Sequence, residues 1–110
     1  MNGEAEPHSH YVKRVRDRVG GAGVTPPDLR VAAMHRAAGG PPIDQPYDAL
    51  ARQIAIAAFD VTDAQVTAVR AATGGDKAAF EIILSASIGA GLARWDAAAN
   101  AIDGATNATG

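Results

Sequence analysis

The sequence predicts an all-α protein, a small bundle of about five helices set around one long C-terminal helix. Three observations carry this. Apolar residues recur at helical spacing in five successive segments, and each segment is bounded by glycine, proline or a capping residue. No segment shows the two-residue alternation of a half-buried strand. The apolar share is 47%, much of it alanine, with only two Phe, two Tyr and one Trp, a composition suited to closely packed helices. With 110 residues the chain is read as one helical domain, residues 1–110, whose ends at 1–9 and 104–110 are expected to be flexible.

The first helix is expected to start near Ser9 and run to Val19, with Tyr11, Val12, Val15 and Val19 on one face. Gly20, Gly21 and Gly23 stop it. Thr25-Pro26-Pro27-Asp28 then reads as a helix start, in which threonine caps and proline tolerates the first turn. Asp28 suits the positive end of the helix dipole. Leu29, Ala32, Ala33, Arg36 and Ala37 follow at helical intervals, and Gly39-Gly40-Pro41-Pro42 closes the element. Residues 39–46, with three prolines and two glycines, form a shaped connector.

A third helix begins around Pro46 and carries Tyr47, Leu50, Ile54, Ala57 and Ala58. Thr62-Asp63-Ala64-Gln65 fits a capping box opening a fourth helix, which stops at Gly74-Gly75. Asp76 caps the long helix, expected over residues 76–103. There Phe80, Leu84, Ser87, Gly91, Trp95, Ala98 and Ile102 make one stripe, and Ile83, Ala86, Ala90, Ala93 and Ala97 extend it to a second face. A helix apolar this far round needs cover on more than one side. Trp95 is expected in the core. Ser85, Ser87, Gly89 and Gly91 allow another backbone to come close, from within the subunit or from a neighbour.

Composition also bounds function. The formal net charge is −2, so the chain lacks the overall basic field of a nucleic-acid binder. Basic residues gather at Lys13, Arg14, Arg16 and Arg18, a run read first as a solvated helix face, with a regulatory contact to an acidic partner or nucleic acid as the weaker alternative. There is no cysteine, which excludes disulfides, thiolate metal sites, iron–sulfur clusters and thiol peroxidase chemistry. The N-terminal residues lack the apolar core of a signal peptide, and the longest apolar run, about twelve residues, is shorter than the roughly 20 a membrane span needs. A cytoplasmic protein without membrane contact is expected. Alanine-rich helices bury little area each, so a homo-oligomer is expected too.

Few residues invite chemistry. His8 and His10 form a His-x-His pair that is two ligands short of a metal site, so no metal and no cofactor are expected. His35, near the end of the second helix, suits the helix dipole and is also a candidate general base. Glu81 is a first-turn acid if it faces outward and a proton relay with a raised pKa if it faces inward. Arg94 is a candidate partner for a carboxylate on another helix or subunit. No phosphate loop and no nucleophile elbow is present.

Residues 50–102 carry a resemblance. VTDAQVTAVRAA at 61–72, a Gly-Asp turn at 74–76 and AFEIILSASIGAGLARWDAA at 79–98 resemble the C-terminal half of the alkylhydroperoxidase D-like, or carboxymuconolactone decarboxylase, superfamily. Arg94-Trp95 resembles the family's Arg-Phe-like pair, whereas Gly89-Ala90 stands where the family has a Tyr-Asn-like pair. The resemblance implies an all-α fold that assembles as trimers or hexamers. It does not imply the peroxidase mechanism, which uses a Cys-x-x-Cys pair that this chain lacks. Two functional expectations result. One is a non-redox accessory or binding protein that self-assembles through its C-terminal helix and has a protein partner. The other is a cofactor-free decarboxylase or isomerase in which His35, with Arg36 or Arg94, holds a small anionic substrate.

Overall fold

Among the described residues five α-helices and one short 3-10 turn follow one another, and there is no strand. The helices are α1 (Pro7–Val19), α2 (Pro27–Ala37), α3 (Tyr47–Ala57), α4 (Asp63–Thr73) and α5 (Asp76–Thr109), with the 3-10 turn at Ala58–Asp60. A computed structural model describes residues 7–109, and the side-chain surroundings of 9–105.

The helix boundaries follow local chemistry. Thr62 Oγ1 accepts from the Gln65 N–H at 3.1 Å, and Gln65 Oε1 accepts from the Thr62 N–H at 3.0 Å, so the expected capping box is formed. Gly74, with φ of +91°, ends α4 in the left-handed conformation that glycine adopts without penalty. At α2 the expectation fails. Pro26 holds the capping position without a side-chain bond, because the Thr25 hydroxyl is turned toward α5 instead. The residue before a proline is held extended, which carries Thr25 away from the helix entrance.

The first and last helices are longer than expected. Helix α1 starts at Pro7 rather than near Ser9, and α5 continues past residue 103 through Gly104 to Thr109. The expected flexibility of 1–6 and 110 falls outside the described residues.

The core lies where α2, α3 and α4 cover one face of α5. Ala33 and Ala37 of α2, Leu50, Ala51 and Ile54 of α3, Val69 of α4, and Ala79, Ile82, Ala86 and Ala90 of α5 are all buried there. The closest crossing is between α2 and α5. A methyl group on Gly89 would stand 2.0 Å from the Met34 carbonyl oxygen, so only glycine lets the two backbones meet. Gly91, two residues on, has nothing within 4 Å of that position.

The expected seam of α5 therefore divides. The small residues Ser85, Ala86, Gly89 and Ala90 face inward, whereas every member of the Phe80-to-Ile102 stripe is exposed. Trp95 is 58% exposed, not in the core. At 100° per residue that stripe lies about opposite the face centred on Ile82, Ala86 and Gly89, and a single layer of helices covers only the latter. Helix α5 is long and apolar enough to cross a membrane by length and composition, a test that the core helix of a soluble protein passes as well.

Candidate functional site

Two ionic clamps, the grooves that hold His35 and Arg94, and one exposed face of α5 bear on function among the described residues. The first clamp joins the α1–α2 connection to α5. Glu81 accepts from the Val24 N–H and the Thr25 N–H, each at 2.9 Å, and from the Thr25 hydroxyl at 2.6 Å. Arg30, buried in the middle of α2, approaches the same carboxylate at 3.5 Å. Its guanidinium also donates to the carbonyls of Val19, Thr25 and Gly21 and to the Thr25 hydroxyl.

These donors, the Thr25 hydroxyl first and the Val24 and Thr25 amides next, lower the Glu81 pKa from 4.5 to about 2, against the opposing effect of burial. The shift runs opposite to the one a proton relay needs. Glu81 stays ionised and pinned, and it fastens the α1–α2 connection to α5. Gly23 belongs to this clamp, since a methyl group there would lie 2.9 Å from the Glu81 carboxylate oxygens.

The second clamp shapes the connector after α2. Asp48, buried in the first turn of α3, accepts from Arg36 Nε at 2.6 Å and from the Ile43 N–H at 3.0 Å. Arg36 Nη1 also reaches the Gly40 carbonyl at 2.9 Å. The Ile43 amide and the Arg36 charge hold the Asp48 pKa below its ordinary value. The Gln45–Pro46 peptide in this connector is cis.

His35 is exposed near the C-terminal end of α2. It lines a groove of about 410 Å³ with Arg16 of α1, Met34, and Gly89, Leu92 and Asp96 of α5. Arg94 is elsewhere. Its Nη2 donates to the Ala55 carbonyl of α3 at 2.7 Å, and it borders a second, more open groove of about 400 Å³ with Arg36, Arg52 and Ile56. The three residues singled out by sequence, His35, Glu81 and Arg94, thus stand at three different places and form no common constellation. Among the described residues no group of three or more His, Cys, Asp or Glu side chains could hold a metal ion. The side chain of His8 lies outside them.

Sequence reading missed Arg30, Thr25, Asp48, Arg16 and Asp96. Arg30 had a usable signal. It occupies the same helical face as Ala33, Met34 and Ala37, all buried, and an arginine on a core face requires acceptors.

The remaining feature is the outward face of α5. Phe80 (60%), Leu84 (47%), Trp95 (58%) and Ile102 (66%) all present large apolar surface along it, with Ser87, Gly91 and Ala98 between them. No charged residue interrupts these seven positions.

Comparison with family models, with curated proteins and with solved structures finds no match to this chain.

Proposed function

We propose that this protein is a non-redox accessory or binding subunit on an alkylhydroperoxidase D-like helical scaffold, and that it self-assembles through α5. The carrying observation is the apolar stripe from Phe80 to Ile102, whose large side chains are each about half exposed or more. Contiguous apolar surface of this kind marks an interaction site, whereas scattered single residues do not. The absence of cysteine supports the non-redox part, since the thiol chemistry of the resembled peroxidase branch has no residues to use here. A cytoplasmic setting belongs to the same reading.

The test is light scattering on the purified chain at micromolar concentration. An oligomer that dissociates when Leu84 and Trp95 are both changed to serine supports the proposal. A stable monomer sinks it.

One observation favours a second reading, a cofactor-free decarboxylase or isomerase type of enzyme acting on a small anion. His35 and an arginine do line one groove, although the arginine is Arg16 rather than Arg36 or Arg94. Titrating benzoate while following the His35 imidazole resonances checks it. Unchanged resonances at millimolar benzoate would remove it.

A further inference from the structure

The stripe on α5 has an internal symmetry. Its members stand at 80, 84, 87, 91, 95, 98 and 102, so the spacings run 4-3-4 and then 4-3-4 again. An eleven-residue repeat of this kind averages about 3.67 residues per turn, close to the natural helical period, so the seam drifts by only about 20° per repeat along a straight α-helix. The spacing is also palindromic about Gly91. Reversing the helix and placing it on itself brings the same seven positions into register.

The side chains at those positions are complementary under that reversal. Trp95 falls opposite Ser87, Leu84 opposite Ala98, Phe80 opposite Ile102, and Gly91 opposite itself. The larger member meets a small one at the two inner pairs, and two large apolar groups meet at the ends. A parallel pairing would set Trp95 on Trp95 and Leu84 on Leu84, and would leave gaps at Ser87 and Ala98. Interdigitation of large with small gives native packing density, and the parallel arrangement does not.

We infer that the occupant of this face is a second copy of the chain, paired antiparallel through α5 about a two-fold axis at Gly91. The inference rests on the assembly reading above and names its partner and geometry. Open space at Gly91, with nothing within 4 Å, is where another backbone can come close.

Area and charge agree with this occupant. Phe80, Leu84, Trp95 and Ile102 together leave roughly 450 Å² exposed on each copy, judged from the size of such side chains. Lys77, Ile88 and Arg94 flank them and widen the seam, against the roughly 800 Å² per partner of a specific interface. Antiparallel pairing opposes the two helix dipoles. It also places Lys77 within about one turn of the carbonyl end of the partner's α5, where positive charge is favourable.

It further accounts for the length of α5. Residues 100–105 are all exposed in the single chain, and in the pair they lie along the first turns of the neighbouring α5. A two-fold contact of this sort is self-complementary and closes at two copies.

Introduced cysteines test the geometry, because the chain has none of its own. Helix axes 8–10 Å apart leave directly facing Cα atoms about 3.4–5.4 Å from one another, a range that overlaps disulfide reach. Under mild oxidation, chains carrying Gly91→Cys are expected to cross-link with themselves. Chains carrying Ala98→Cys alone are not, since the two copies of that position stand about 21 Å apart along the seam. A mixture of Leu84→Cys chains with Ala98→Cys chains is expected to give the mixed dimer.

Efficient self-cross-linking of Ala98→Cys overturns the antiparallel arrangement while leaving assembly through α5 standing. A wild-type chain that stays monomeric at micromolar concentration overturns both. A monomer that instead co-sediments with phosphatidylcholine vesicles would assign the face to a lipid surface and remove the second copy.

Discussion

At the scale of single residues, Glu81 does the most. It ties Val24 and Thr25, in the connection after α1, to a helix that begins more than fifty positions later, and Arg30 closes the tie from α2. Its folded-state pKa of about 2 lies below the ordinary 4.5, so the ionised carboxylate stabilises the fold fully above about pH 4.5. That contribution is lost as pH falls from 4.5 toward 2. Asp48, also shifted downward, acts in the same sense. The melting temperature is therefore expected to drop across this acid range. Glu81→Gln is expected to lower the melting temperature at neutral pH and to flatten the acid drop, leaving the part due to Asp48. Thermal unfolding followed by circular dichroism between pH 2 and pH 7 measures both. An unchanged acid slope in the variant would show that the clamp is not what titrates.

At the scale of elements, two glycines on α5 separate the inward face from the outward one. Gly89→Ala drives a methyl group into the Met34 carbonyl and is expected to cost at least about 3 kcal/mol, the upper part of the range for overpacking. Gly91→Ala meets no atom of its own chain and is expected to stabilise the isolated subunit by about 0.5–1 kcal/mol, the helix-interior difference between the two residues. Chemical denaturation at low protein concentration reads the opposite signs. The helices themselves were legible in the sequence, because period, caps and stops are local. Thr62 with Gln65, and Gly74, stand where their chemistry requires. The orientation of α5 was not legible. Both the stripe of large residues and the row of small ones have helical spacing, and periodicity does not say which face a neighbour covers. The backbone approach at Gly89 and Met34 decides that, and it brings together residues of two distant helices. The same limit hid the Glu81 clamp, whose Thr25 partner lies 56 positions away. Thr25 reads locally as a helix cap and serves instead as a donor to another helix.

At the scale of the whole molecule, the fold is a short bundle carried by a helix nearly as long as the molecule. Helix α5 has 34 residues, about 51 Å, and the longest dimension of the protein is 53 Å. The bundle covers one face of the helix's first half, so the far end contributes little to the chain's own core. Ile102, 66% exposed on that far end, separates subunit stability from assembly. Ile102→Ser is expected to change the stability of the isolated chain by no more than about 0.5 kcal/mol, as for most surface substitutions away from special features. In an antiparallel pair it places two serine hydroxyls opposite two copies of Phe80, one at each end of the seam, and weakens association. Stability gained through association grows with protein concentration, so the wild-type melting temperature is expected to climb with concentration. The Ile102→Ser curve is expected to meet it at high dilution and to fall behind as concentration rises. Two curves that run parallel at every concentration would mean that the far end of α5 takes no part in assembly, and the helix's length would then need another explanation.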